Sequence, residues 1–430
     1  MMSFGRGSRV ALACAVAAAL VVVPAVAASA DDAPSDWWYD GFGVAEAQAD
    51  GWTGDGVKVA VIDNQINPDL EVFKGAHLTV DDDPLCKGGK VEVGGSKVSA
   101  EAIHGSDMVA LLVGNGRGSG HVRGIAPDAQ VTFYGWGFAH NPDNCVTVDE
   151  SSDRTEFGDG IARAVADGAR IISISQGTTQ TTAGDAEALA EALAAGVVVV
   201  AATPNSARYN EQWPWSYNGV VSVNAFGQDG KLQEDHEIAG HFVAWKETTV
   251  VAPGVKFPSV DWRPGSGWWS TGSSLATPLT AGVLAVTAQK YPDASGDQLI
   301  QSLIHNTTPD DHALTRSDTT GYGPVSLRHM LRIDPTTYPD ENPLMDKASG
   351  VPSAAQVAQA GAQASTVPSA SPTQWSPTAT PGALAPTGTA LSPWLFVGLG
   401  TLLVLIVAAV VMIVVVSSNR KKSRNVGGAA

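Results

Sequence analysis

Cysteine is scarce in this chain, with three among 430 residues, at positions 14, 86 and 145. Cys86 and Cys145 offer too few ligands, too far apart, for a structural zinc site, and no cofactor or metal is expected. Basic charge is short as well. With Arg6 and Arg9 and the tail cations Arg420, Lys421, Lys422 and Arg424 set aside, residues 31–390 carry 20 Lys plus Arg against 43 Asp plus Glu, a net of −23. A chain of that charge is not built to hold nucleic acid, and the excess reads as a solvated surface. No internal repeat of solenoid period is present.

Long apolar runs occur twice, and neither belongs to a globular core. Arg6 and Arg9 precede the apolar run Val10 to Val26, and Ala28-Ser29-Ala30 has the small-x-small form of a signal-peptidase site, so residues 1–30 read as a signal peptide. Trp394 to Val416 is 23 residues without a charge, long enough to cross a bilayer as a helix. The basic cluster that follows predicts a cytoplasmic tail at 417–430, with everything before the span outside. Cys14 leaves with the signal. Cys86 and Cys145 then remain as an even pair in an oxidising compartment, where a disulfide is expected, worth about 4 kcal/mol if relaxed.

Between these ends the composition is globular to about residue 345. Apolar runs at 57–62, 129–134, 170–175, 196–202 and 219–223 have the character of strands buried on both faces, and helical patterns at 158–169 and 183–195 separate them. Strand-helix alternation predicts an α/β domain, a mainly parallel sheet with helices on both faces, over 31–345. Residues 346–393 are rich in Ala, Pro, Ser and Thr and nearly uncharged, which predicts a disordered stalk.

In such a sheet, functional groups gather at the carboxyl ends of the strands. Asp63 closes the run 57–62. His104 is followed by Gly105 and an apolar helical stretch. Ser274 lies in Gly272-Ser273-Ser274-Leu275-Ala276-Thr277-Pro278, where a loop passes into the buried apolar run 279–288. Alone, Ser274 is an N-cap as readily as a nucleophile, and Asp63 or His104 a turn or helix-end residue. Together they supply a hydroxyl, an imidazole to take its proton, and a carboxylate to fix the imidazole. The order Asp, His, Ser, with Ala276 where a Gly-x-Ser-x-Gly elbow requires its second glycine, excludes the α/β-hydrolase arrangement. In His236-Glu237-Ile238-Ala239-Gly240-His241 the histidines are five apart, about 140° round a helix from each other, so this is not a zinc-protease helix.

The chain resembles the subtilisin-like serine proteases, the subtilases. Val59-Ala60-Val61-Ile62-Asp63, Asn67-Pro68-Asp69-Leu70, His104-Gly105-Ser106, Gly124-Ile125-Ala126-Pro127, Ile172 to Gly177, Val251-Ala252-Pro253-Gly254 and the Ser274 motif fall in family order across about Gly54 to Pro292. The resemblance implies a subtilisin-like three-layer fold and a catalytic set of Asp63, His104 and Ser274. By alignment of Ala201-Ala202-Thr203-Pro204-Asn205, it implies that Asn205 is the oxyanion donor. Ser175, Gln176 and Gly177 match the segment that binds substrate backbone and lines the main specificity pocket.

Departures from the family pattern are Asn64-Gln65 after the aspartate, a shorter loop before Pro68, Asp107 where a second histidine is common, Ala110 for glycine and Pro204 beside Asn205. No room remains between Ala30 and Asp63 for a folded inhibitory prodomain. That feature, the cysteine pair, the stalk and the single span resemble the mycosins, membrane-anchored proteases associated with type VII secretion in actinobacteria. Leu384-Ala385-Pro386-Thr387-Gly388, just before the span, resembles a sortase signal cut after Thr387. The expected protein is an extracytoplasmic serine endopeptidase acting on a protein or peptide substrate. It is held in the cell membrane or, after sortase processing, linked to the cell wall. The alternative reading, motivated by the departures, is a catalytically weak scaffold that stabilises an envelope secretion complex.

Overall fold

Seven parallel strands form the centre of the molecule. The computed structural model describes residues 37–95, 98–138, 145–149, 151–209, 211–263 and 269–366. The expected signal peptide, the span at 394–416, the basic tail and Leu384–Gly388 lie outside these residues. Among the described residues no helix is long and apolar enough to cross a membrane.

Two short helices, α1 (Trp37–Gly41) and α2 (Val44–Ala49), precede strand β1 (Lys58–Asp63). Then come β2 (Leu78–Val80), α3 (Ala100–Val113), β3 (Gln130–Gly135), α4 (Glu156–Ala166), β4 (Ile171–Ile174), α5 (Ala183–Ala194) and β5 (Val198–Ala202). Strands β6 (Val221–Phe226) and β7 (Val250–Pro253) complete the sheet, in the order β2-β3-β1-β4-β5-β6-β7. A two-residue ribbon, β8 (Phe257–Pro258) against β9 (Trp269–Ser270), leads to α6 (Ser273–Lys290). The chain continues through α7 (Gly296–His305), α8 (Leu327–Arg332) and α9 (Ala354–Thr366).

Alternate residues of each strand sort into two cores. Val59, Val61, Ile171, Val198 and Val200 face α3 and α6, while Ala60, Ile62, Ile172, Ile174 and Val199 face α4 and α5. Both sets are apolar because both faces are covered, so the two-residue period leaves no polar alternation in the sequence. The expected runs are accordingly β1, β3, β4, β5 and β6, with ends displaced by up to three residues. All neighbours are parallel, so the carboxyl ends of the adjacent central strands β1, β4 and β5 share one edge. Those ends carry Asp63, Ser175 to Gly177, and Thr203 to Asn205.

Cys86 and Cys145 are joined, with Cα atoms 5.2 Å apart across 59 positions. The disordered stalk expected from residue 346 is corrected by ordered chain as far as Thr366. Lys347 is half-buried, and its ammonium donates to the carbonyls of Trp215 (2.9 Å) and Val220 (2.6 Å) and to the Ser222 hydroxyl. Burial pushes its pKa down to about 7. Asn218 accepts from the Lys347 N–H at 2.9 Å and donates to the Pro352 carbonyl at 3.0 Å. Helix α9 then packs on α5, with Gly361 close to Ala194. Small residues that offer little apolar surface in isolation suffice here because they permit close helix approach and polar anchors hold the segment down.

Helix α6 carries the Ser274 motif, and its fit is tightest at Gly282. A Cβ there would lie 1.9 Å from Cγ2 of Ile125, a buried β-branched side chain with little rotamer freedom. Helix propensity alone makes Gly282→Ala stabilising by about 1 kcal/mol. The expected result is the opposite, a loss of about 1–3 kcal/mol from overpacking, read as a lower denaturant midpoint at unchanged slope.

Candidate active site

Asp63 is fully buried at the end of β1, and its Oδ1 accepts the Asn64 N–H at 2.7 Å. His104 lies in α3, one turn beyond the helix start at Ala100 rather than at the helix end. Ser99 caps that helix by accepting from the Ala102 N–H at 2.9 Å and donates to Gln65 Oε1 at 2.8 Å. Gly105 lets the helix approach the chain leaving β1, since a Cβ there would stand 2.2 Å from the Gln65 carbonyl. The approach brings His104 Nδ1 to 3.1 Å from Asp63 Oδ1 and 2.9 Å from Oδ2. A carboxylate can only accept, so Nδ1 carries the proton and the Nε2 lone pair is left free.

Electrostatics favour a ring that takes protons readily. Burial alone lowers the His104 pKa, but the charge and hydrogen bond of Asp63, with smaller contributions from Asp107 and Glu101, leave it above its ordinary 6.5. Asp107 is buried one turn along α3. It accepts from the Ser259 hydroxyl at 2.8 Å and the Val260 N–H at 2.6 Å. Burial pushes its pKa up to about 7 against those two bonds. The sequence marks Asp107 as a departure but gives no sign that its carboxylate acts electrostatically on the imidazole from inside the core.

Ser274 is the second residue of α6, whose N-cap is the extended Gly272, so it is not the cap. The first N–H groups of a helix lack intrahelical acceptors. Among the described residues none accepts from Ser274 N–H, whereas Ser273 N–H donates to Asn205 Oδ1 at 2.9 Å. That bond fixes the Asn205 amide, since its oxygen must face Ser273 and its Nδ2 must turn away. A Cβ on Gly272 would be 3.2 Å from both Asn205 Nδ2 and Ser274 Oγ, so donor and hydroxyl flank one small space. The Asn205 carbonyl is held by His236 N–H at 3.1 Å. Residues 236–240 are a run of bends and turns.

Strand β4 joins the two halves of the site. Ser175 Oγ donates to the Ser274 carbonyl at 2.8 Å. Gln176 Nε2 lies 3.4 Å from Asp63 Oδ1 and 3.2 Å from His104 Nδ1, and with the ring proton aimed at Asp63 it can donate only to the carboxylate. Gln176 therefore touches the Asp-His pair rather than only lining a pocket. Helices α3 and α6 pack together, although among the described residues the imidazole and the Ser274 hydroxyl make no direct hydrogen bond. Beside Asn205 and Ser273 a cavity of about 160 Å³ opens, with Gly177, Tyr209, Glu211 and Trp215 on its walls. The last three lie outside every motif in the sequence.

The arrangement has the parts of acyl transfer: a hydroxyl at a helix start, an oriented imidazole at the same sheet edge, and an amide donor beside the hydroxyl. The model of the Subtilase family (Peptidase_S8) matches residues 54–323. The alkaline elastase YaB of Bacillus sp. (strain YaB) is 30% identical over 265 residues, covering 61% of this chain and 62% of that protein. Subtilisin Savinase of Lederbergia lenta is 28% identical over 275 residues, covering 62% of this chain and 91% of that protein. This chain thus spans less than two thirds of the length of the elastase. Among solved structures, fervidolysin from Fervidobacterium pennivorans aligns with a TM-score of 0.55 at 24% identity, covering 69% of this chain and 45% of that one. The PatG macrocyclase in complex with peptide aligns with a TM-score of 0.54 at 17% identity, covering 70% and 98%. At these identities the two structures establish a shared fold.

The charge on Asp107 favours the imidazolium, so Asp107→Asn is expected to let His104 lose its proton at lower pH than in the parent chain. Ring-proton chemical shifts of His104 followed against pH test this, and a midpoint that stays or rises contradicts it.

Proposed function

This chain belongs to the subtilase family, and on that premise we propose that it is a serine endopeptidase that hydrolyses peptide bonds through Asp63, His104 and Ser274. The observation that carries the reading is the buried carboxylate holding His104 Nδ1 at the sheet edge where Ser274 Oγ and Asn205 Nδ2 flank Gly272.

His104 Nε2 takes the hydroxyl proton as Ser274 Oγ adds to the substrate carbonyl carbon. The oxygen gains negative charge and accepts from Asn205 Nδ2 and the Ser274 N–H, donors fixed before the charge appears. Collapse breaks the C–N bond, with the proton passing from Nε2 to the leaving nitrogen. Water then repeats the sequence on the acyl-enzyme, returning Ser274 to its free form. Asp63 stabilises the imidazolium formed in each half.

The protease acts outside the cytoplasm. The arginine-led apolar leader at 1–30 supports export. The charge-free stretch Trp394 to Val416 with its basic follower supports a single-pass anchor in the cell membrane. The mycosin-like layout supports work beside a type VII secretion complex.

A fluorophosphonate probe applied to the full-length chain is expected to label the parent and to spare Ser274→Ala, with peptide hydrolysis falling at least about a thousandfold in the variant. Absence of any Ser274-dependent adduct in the folded parent would leave the scaffold reading in its place. Mass spectrometry of the mature protein tests the anchoring: an intact residue 430 is expected, and a C-terminus at Thr387 would mean sortase transfer to the cell wall instead.

A further inference from the structure

Among the described residues the cavity beside Ser273 and Asn205 is lined by one charged side chain, Glu211, and by no Lys, Arg or His. Glu211 is partly buried, and burial raises its pKa. Among the described residues nothing donates to its carboxylate or pairs with it. The surroundings add to the negative field, because Tyr209, on the same wall, donates its hydroxyl to Glu237 at 3.2 Å and also feels Glu211 and Asp235.

The position of Glu211 is set by backbone and not by chance packing. Thr178 N–H donates to the Trp213 carbonyl at 3.0 Å, and the N–H groups of Gln212 and Trp213 return to the Thr178 carbonyl. Trp215 Nε1 donates to the Glu211 carbonyl at 2.7 Å. Gly177 completes the fit, since a Cβ there would meet Glu211 Cβ at 3.3 Å. The acid is therefore seated directly against the strand edge that continues into Ser175 and the Ser274 carbonyl. A volume of about 160 Å³, several times the roughly 30 Å³ share of one water in the liquid, admits a side chain.

We propose that Glu211 makes this cavity a site for a basic side chain, so that the peptide bond presented to Ser274 is the one following Lys or Arg. A partly desolvated carboxylate without a counter-charge gains most from a ligand that brings one. A neutral side chain of the same length desolvates the acid further and leaves it unpaired. Discrimination comes from that penalty as much as from the new ion pair. The inference rests on residues 175–177 and 205 forming the peptide-binding side of the proposed protease site.

The test uses full-length protein carrying Ser274→Ala, so binding is read whether or not the parent hydrolyses anything. Two otherwise identical peptides are compared by titration calorimetry, one with Lys at the residue before the scissile position and one with norleucine. The Lys peptide is expected to bind roughly tenfold tighter or more. Glu211→Gln should bring the two affinities together, and Glu211→Lys should reverse their order. Retained binding of the norleucine peptide shows that each variant is folded. Equal or tighter binding of norleucine by the unaltered cavity, a preference unmoved by Glu211→Gln, or no measurable binding of the Lys peptide overturns the proposal. Loss of fluorophosphonate labelling in the parent counts against the hydrolase alone and leaves this comparison standing.

Discussion

Helix α6 contains a proline at its sixth position, and much of the site's geometry depends on the hydrogen bond that proline removes. Pro278 has no N–H, so the carbonyl four residues earlier, that of Ser274, has no helical donor. Ser175 Oγ fills the gap at 2.8 Å. The backbone of Ser274 is thereby tied to the end of β4, and the same strand end sends Gln176 to Asp63. A helix with alanine at 278 could satisfy the Ser274 carbonyl internally and would have no need of the sheet. The motif Ser274-Leu275-Ala276-Thr277-Pro278 thus combines a hydroxyl at a helix start with a backbone acceptor left open for a neighbouring strand.

A second constraint is electrostatic. Three carboxylates, Asp63, Asp107 and Glu101, bear on one imidazole, but they do so from different positions. Asp63 touches Nδ1 and decides the tautomer. Asp107 is spent on the chain after β8, through Ser259 and Val260, and acts on the ring only through its field. Its own pKa is raised to about 7, so its charge, and with it its influence on His104, grows as pH rises through that region. The ring is thus held in orientation by one acid and tuned by another, and a single substitution at 107 separates the two effects.

What the sequence conveys about this molecule is strongest where one residue type has few alternatives. The valine-rich runs of β1 and β5 have the character of doubly covered strands and form them, and the motif residues Asp63 and His104 meet at the sheet edge, with Asn205 beside Ser274. The three-residue β2 was too short to announce itself. Helix α9 was hidden because its Ala and Gln residues carry little apolar surface, and the chain leading to it is held by Lys347, whose hydrogen bonds are tertiary. Gln176 reads in one dimension as a pocket residue, and only the packing of α3 against the sheet brings the Asp-His pair to its amide. Glu211 and Tyr209 belong to no motif, because a cavity wall is made by a loop's path and not by a pattern along it.

Pro204 is the departure that lies nearest to Asn205, the proposed oxyanion donor, and local bonding shows how the chain accommodates it. A proline forces its predecessor towards extended geometry. Thr203 already has that geometry, since its N–H pairs with the Val223 carbonyl at 3.0 Å and continues the register of β5 with β6. Proline withdraws an N–H at 204, and its carbonyl is taken by Trp245 Nε1 at 3.0 Å. Asn205 then has its carbonyl on His236 and its Oδ1 on Ser273, two anchors from opposite sides. Where a glycine would leave this turn free to move, the proline fixes it, and the strand before it was already in the one conformation a proline allows. Proline therefore removes freedom from the loop, while Asn205 keeps its bonds to His236 and Ser273, which is the condition the proposed donor has to meet.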